Sequence, residues 1–387
     1  MRKISANYIF DGFELHKNAV LYLDDDGSVI ELKTGNNKLV EENRLEFYNG
    51  IITPGFVNAH CHLELSHLKN KIPERTGLPE FIKNVISLKN VAGISSIKTA
   101  DEEMQRNGIV AVGDISNSTI SFEIKQQSKI KYHTFIELIG PDNNDIDKIM
   151  EKAGEIKKTA GDMKLKSNFV PHATYSVSTK ILEIVKDDGY KTNSIISIHN
   201  QETASENQMF TEGKGELLES LKQINPYYNN FKPSYFNSLP STLVHLPKCN
   251  KTMLVHNTYT QAKDIKWTND YTKYAYWCLC PKSNLYIENK LPDVNLFKDE
   301  KVCIGTDSLA SNDSLSIIEE LFVLQQNFPE LEMSRLLKWA TYNGAEALDM
   351  HFQIGSFEKG KKPGVNLITN VDLQNLKFTK ETKVKVL

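Results

Sequence analysis

The chain has 387 residues, 40% hydrophobic and 25% charged, with a formal net charge of −3 at pH 7 and lysines and glutamates interleaved throughout, which leaves no basic footprint for a nucleic-acid partner. No run approaches the ~20 apolar residues of a membrane span, and the start Met1-Arg2-Lys3-Ile4-Ser5 leads into no apolar signal region. Five cysteines spread over the chain make no disulfide framework, so the expectation is a cytoplasmic protein with no membrane partner and a composition compatible with a homo-oligomer.

In chain order, residues 1–53 alternate polar and apolar side chains in short runs such as Ala19-Val20-Leu21-Tyr22-Leu23, broken by Asp24-Asp25-Asp26-Gly27, which predicts strands and hairpins. Eight short apolar runs follow, at 51–59, 109–115, 131–138, 167–172, 195–199, 252–256, 274–280 and 302–307. Amphipathic stretches such as 179–187 and 313–326 separate most of them. Eight strand-plus-helix units predict an α/β fold, a (β/α)8 TIM-type barrel whose catalytic groups sit at the C-terminal ends of its strands. Residues 213–250, with Tyr227-Tyr228-Asn229-Asn230-Phe231-Lys232-Pro233, read as a long irregular loop forming a lid or substrate wall. Near the C-terminus, 355–368 reads as a turn into a strand and 382–387 as a last short strand. The two β-rich ends are expected to pair into a small β-sandwich of residues 1–53 and 356–387, beside a barrel of residues 54–355.

The polar residues at the strand ends carry the chemistry. His60 and His62 are two residues apart at the end of a strand-like run, so both rings project to one side and can chelate one divalent metal. His172, His199, His256 and Asp307 end later runs, and Glu202 lies just past His199. The chain has ten histidines, and five of them fall at these ends. Such a set, all of metal-ligand or acid-base type on one rim, predicts a metal site.

Taken together, Pro54-Gly55-Phe56-Val57-Asn58-Ala59-His60-Cys61-His62-Leu63, Pro171-His172-Ala173-Thr174-Tyr175-Ser176-Val177-Ser178, His199-Asn200-Gln201-Glu202, Val255-His256-Asn257, Cys280-Pro281-Lys282-Ser283-Asn284 and Gly305-Thr306-Asp307-Ser308-Leu309-Ala310-Ser311-Asn312 resemble the amidohydrolase superfamily. The branch is that of triazine hydrolases and nucleoside-type deaminases, including adenosylhomocysteine and aminofutalosine deaminases. The resemblance spans nearly the whole chain and implies one divalent metal, zinc or iron, held by His60, His62, His199 and Asp307. Thr174 stands where many relatives have proline, and Cys278-Leu279-Cys280 where many have a histidine. No lysine near the fourth strand's end offers the bridge that two-metal relatives use.

Neutral imidazoles and a carboxylate suit such a metal, which lowers the pKa of its water from ~15.7 toward ~7 and yields hydroxide at neutral pH. Asp307 is expected to accept the water proton, Glu202 to protonate a ring nitrogen and then the leaving group, and His256 to orient the water. His172 is better placed for substrate. Arg75 and Asn312 are substrate-binding candidates, against a solvated arginine and a loop-holding amide as the plainer readings. Glu64 and His67 read as supporting residues, Cys61, Cys278 and Cys280 as packing, and Trp277 as core or base-stacking surface. The favoured function is hydrolytic deamination of a small amino-substituted heterocycle, purine or nucleoside-like. The alternatives are hydrolysis of another C–N or C–Cl bond or a cyclic amide at the same site, and a scaffold that has kept the barrel without activity.

Overall fold

The computed structural model describes residues 1–35, 42–88 and 93–387. Strands Phe56–Cys61, Ile109–Ser116, Lys131–Leu138 and Lys166–Pro171 form one four-stranded parallel sheet in that order, and Ile196–Asn200, Thr252–His256, Ala275–Leu279 and Val302–Ile304 form a second. Single parallel bridges tie the two sheets at both edges: Cys61 pairs with Asp307, and Ala173 with His199. The molecule is thus a mixed α/β fold in which helices such as Ile94–Arg106, Ile146–Asp162, Thr179–Thr192 and Ile317–Asn327 alternate with parallel strands. Among the described residues, no helix is long and apolar enough to cross a membrane.

Both faces of these strands are buried, as expected of parallel sheets. On one face Val57, Phe135, Val170, Val255, Cys278 and Cys303 pack together from both sheets. On the other, Phe56, Val112, Ile136 and Leu254 share a core with helix residues Ile97, Met104 and Ile181. Cys61 lies in the helix-facing core, and Cys280 in the one shared by inward strand residues with Ala345 and Ala347. Trp277 is fully buried against Phe297, with ring centroids 5.1 Å apart, so it is core and no base-stacking surface.

Three expectations change. The run 51–59 is not one strand but the meeting of two, since Leu45–Pro54 belongs to the end sheet and Phe56–Cys61 to the first parallel sheet. The break is at Gly55, where a Cβ would stand 2.3 Å from Val110 Cγ1 and 2.7 Å from the Pro363 carbonyl, so only glycine passes between the sheets. Residues 213–250 are not an irregular loop: they hold helices Glu216–Ile224 and Ser238–Leu243 with a 3-10 turn at Pro226–Asn230. Leu217, Leu218 and Leu221 bury one face of the first helix. The helix expected over 313–326 begins only at Ile317.

The chain ends meet in one seven-stranded sheet. Leu45–Pro54 runs parallel to Arg2–Phe10 and antiparallel to Val365–Thr369, which in turn pairs with Lys383–Val386.

One buried ion pair supports the turn that follows the first parallel strand. Lys125 Nζ lies 2.5 Å from Asp114 Oδ2, both side chains being inaccessible to solvent, while Asp114 Oδ1 accepts the Leu63 N–H at 2.8 Å. Ser116 and Thr134 hydroxyls complete the lysine's contacts. Breaking such a pair strands a charge in the interior. Lys125→Met is expected to lower unfolding free energy by ~3–5 kcal/mol in urea denaturation; a loss below ~1 kcal/mol would show that Asp114 is already solvated.

Candidate metal centre and active site

The strand ends bring four side chains to one point. His60 Nε2 is 3.0 Å from His62 Nε2, which is 3.2 Å from His199 Nε2, and Asp307 Oδ1 lies 3.4 Å from His62 Nε2 and 3.8 Å from His60 Nε2. Backbone pairing across the sheet edges sets this convergence: the Thr306 and Asp307 N–H groups both donate to the His60 carbonyl, and the His199 N–H donates to the His172 carbonyl. His199 Nδ1 also donates to that carbonyl at 2.6 Å, which turns its Nε2 lone pair toward the cluster. Asp307 Oδ2 accepts the Ser283 and Ser311 hydroxyls at 2.7 and 2.6 Å, leaving Oδ1 to face the imidazoles.

Burial, reinforced by the neighbouring rings, pushes the His60 and His199 imidazoles well below their ordinary pKa, so they are neutral. For Asp307 burial acts upward, but the imidazoles of His62, His256 and His60 and the Ser311 hydroxyl outweigh it and hold the carboxyl at about 2. Imidazole Nε2 atoms 3.0 and 3.2 Å apart need something positive between them, a proton or a cation. Ligand atoms 2.0–2.1 Å from a tetrahedral metal stand about 3.3 Å apart, so both the spacing and the three-imidazole, one-carboxylate chemistry fit a divalent cation.

Glu202 borders this cluster. It is 5% exposed, and among the described residues its carboxyl makes no hydrogen bond to protein; His256 Nε2 is 3.7 Å away. Burial first, then the negative fields of Asp307, Glu206 and Glu288, raise its pKa well above the usual carboxylate range. His256 Nδ1 lies 2.9 Å from Asn284 Oδ1, an amide oxygen oriented by the bond from Asn284 Nδ2 to the His256 carbonyl. An oxygen only accepts, so Nδ1 carries the proton and Nε2 faces the site as an acceptor. Gln201, His256 and Asp307 all have left-handed backbone, with φ of 47°, 75° and 54°. Strain of this kind at three strand ends is characteristic of functional sites.

The remaining candidates divide. His172 stands beside the cluster, its ring centroid 4.9 Å from that of His199 and its Nδ1 2.5 Å from Ser176 Oγ. Asn312 is fully committed elsewhere: Nδ2 donates to the Thr306 carbonyl and Glu320 Oε1, and Oδ1 accepts the Ser314 N–H. The expected substrate contact is therefore corrected to a loop-holding role. Arg75 is exposed and its side chain makes no hydrogen bond or ion pair among the described residues, which fits a solvated arginine. Glu64 accepts the Asn117 and Ser118 N–H groups and the Ser118 hydroxyl, tying the first strand's loop to the second's.

One residue escaped sequence reasoning. Glu137, buried at the end of the third parallel strand, has Oε1 without a hydrogen-bond partner among the described residues and 3.9 Å from His199 Nδ1, while Asn117 Nδ2 donates to Oε2. Its donor atom lies within 4.8 Å of those of His172 and His199. The only signal was the one acid in the strand Lys131–Leu138.

Asn312→Ala leaves buried groups at Thr306 and Glu320 without their donor and is expected to cost ~1–3 kcal/mol of stability by chemical denaturation, with KM unchanged. An unchanged stability with a raised KM would restore the substrate role.

The Amidohydrolase family model matches residues 51–386. The chain is 29% identical over 357 residues to adenosine deaminase of Helicobacter pylori, covering 87% of this chain and 82% of the relative. It is 27% identical over 331 residues to aminodeoxyfutalosine deaminase of Nitratiruptor sp., covering 83% and 79%. The crystal structure of Helicobacter pylori aminofutalosine deaminase in complex with methylthio-coformycin matches with a TM-score of 0.81 at 22% identity, covering 98% of this chain and 94% of that one. Atrazine chlorohydrolase TrzN from Arthrobacter aurescens TC1, complexed with zinc, matches at 0.75 and 14%, covering 97% and 90%. At those identities the two structures speak to fold. With the family model running through both parallel sheets and the strand ends that carry the cluster, the chain belongs to the amidohydrolase family.

Proposed function

We propose that the protein is a metal-dependent aminohydrolase that deaminates an amino-substituted heterocycle, purine or nucleoside-like. The observation that carries this is Glu202, a buried carboxyl with no protein partner, set beside converging neutral imidazoles and the ionised Asp307. Adding water across a ring C=N needs an acid at the ring nitrogen, which a carboxyl kept protonated by burial can supply. The relatives named above as deaminases act on adenosine and aminodeoxyfutalosine, which supports the same class of substrate. Fold likeness to a triazine chlorohydrolase keeps C–Cl hydrolysis as the second reading.

In this reading the two parallel sheets close into an eight-stranded barrel, supported by the bridges at both edges. The strands from both chain ends make a small β domain of residues 1–53 and 356–387 built on their one seven-stranded sheet, and the five free cysteines fit a reducing cytoplasm. His60, His62, His199 and Asp307 hold one cation, zinc by analogy with the zinc-bound neighbour. When bound, it supplies Lewis acidity and a water of lowered pKa.

The chain's own groups do the rest. Asp307, with Oδ2 occupied by two serine hydroxyls, takes the proton of the attacking water at Oδ1. His256 Nε2 accepts a hydrogen bond from the same water and orients it. Glu202 gives its proton to the ring nitrogen beside the attacked carbon, so that carbon gains oxygen while the ring electrons move to nitrogen. Asp307 then returns its proton to the amino group, the C–N bond breaks, and ammonia leaves with Glu202 reclaiming the ring proton. The balance is water in and ammonia out. His172 faces the substrate.

Glu202 acts as an acid, so activity requires its protonated form. Its raised pKa extends that form toward neutrality, and kcat/KM is expected to fall as pH rises through it, whereas Asp307 at about 2 stays ionised throughout. An ammonia-release screen of purines, pyrimidines and their nucleosides with zinc-loaded protein tests the function. Glu202→Gln is expected to keep its metal and lose at least ~10²-fold in kcat, and His199→Ala to lose most metal by elemental analysis. Full activity in Glu202→Gln, or chloride release from halogenated heterocycles without ammonia release, would overturn the deaminase reading.

A further inference from the structure

Because the Glu202 carboxyl has no protein partner, only its backbone can aim it. That backbone is gripped by one residue. Glu206 is inaccessible to solvent in the first turn of the helix Ala204–Glu212, and its carboxylate reaches back over the turn that leaves the fifth parallel strand. Its Oε1 accepts the Gln201 N–H at 2.9 Å, and its Oε2 accepts the Glu202 N–H at 3.0 Å. Gln201 is the residue held at φ 47°, so the bidentate grip falls where the chain is strained and would otherwise relax.

The same carboxylate makes a third contact that crosses to another loop. Thr174 Oγ1 donates to Glu206 Oε1 at 2.7 Å, and Thr174 lies two residues beyond His172 on the loop after the fourth parallel strand. A proline there, as in many relatives of the resemblance noted above, has no hydroxyl to give. In this chain, then, the loop carrying His172 and the loop carrying Glu202 are joined through one buried carboxylate. Three donors converging on one buried carboxyl suit a clamp that resists local strain.

We infer that Glu206 is a positioning residue for the acid Glu202, and that Thr174 is its partner, so that the pair fixes the acid's place relative to the cation-binding half of the site. The inference rests on the deaminase reading for its kinetic consequence but not for its structural one. Facing Glu202 are His256 from the sixth strand, Asp307 from the eighth, and Glu288 and Glu206 from neighbouring helices. Of these, Glu206 alone bonds the Glu202 backbone N–H.

The test uses zinc-loaded protein. Glu206→Gln keeps the size of the side chain but sets an NH2 against one of the two backbone N–H donors, so kcat is expected to fall at least tenfold while KM and metal content stay within twofold. Amide hydrogen exchange in a peptide spanning 200–206 is expected to quicken at least tenfold. Thr174→Val should lower kcat severalfold, and Thr174→Ser, which keeps the hydroxyl, should restore it. A purely structural role would lower the amount of folded, metal-loaded protein without this split between kcat and KM. Unchanged kcat and exchange in Glu206→Gln, or equal kcat in the valine and serine variants, would overturn the inference. If Glu206→Gln does not fold, the Thr174 pair decides. If the wild-type protein deaminates nothing, the function above fails, and hydrogen exchange in Glu206→Gln still decides whether Glu206 holds the turn.

Discussion

Three imidazole nitrogens and a carboxylate oxygen, each within 3.0–3.8 Å of its neighbours, are the constraint on which the structure turns. His60, His62 and His199 meet this way, with Asp307 beside them. With neither a proton nor a cation between them the ring nitrogens repel, and Asp307 is a buried charge. A cation removes both costs at once. The strained backbone at His256 and Asp307 then has a reason, since the surrounding sheet edges hold side chains where a ligand, and not local conformational preference, makes them stable.

The fold supplies that constraint through strand ends. His60 and Asp307 come from opposite ends of the stretch that builds the two parallel sheets, yet the Asp307 N–H bonds the His60 carbonyl directly. His172 and His199 are tied the same way across the other edge. Behind them a buried polar layer, with Asp114 and Lys125 under the first strand's turn and Glu206 under the fifth's, fixes backbone and not side chains. The carboxyl of Glu202 makes no hydrogen bond to protein among the described residues, while its backbone N–H donates to Glu206.

What was legible in the amino-acid string follows from range. The pair His60 and His62 shows itself by a two-residue period, and His199, His256 and Asp307 by their place at the ends of apolar runs, so their meeting at one rim was readable. The division of residues 51–59 was not, because the need for Gly55 comes from Val110 and Pro363, distant in sequence. The helix Glu216–Ile224 was hidden by the tyrosines, asparagines and prolines that follow it, although Leu217, Leu218 and Leu221 carried a helical period. Glu137 and Glu206 gave no motif, since one contacts Asn117 of another loop and the other holds backbone N–H groups of its own turn and Thr174 of a second loop. Asn312 stood open between two roles until Glu320 was seen to occupy it.

The central claim is that the imidazole cluster exists to hold a cation. Anomalous diffraction from crystals of the zinc-loaded protein, collected on both sides of the zinc edge, tests it most directly. The account predicts one strong peak per chain, within about 2.0–2.2 Å of His60, His62, His199 and Asp307 donor atoms. A map without a peak there, from protein that is folded and zinc-equilibrated, would contradict it.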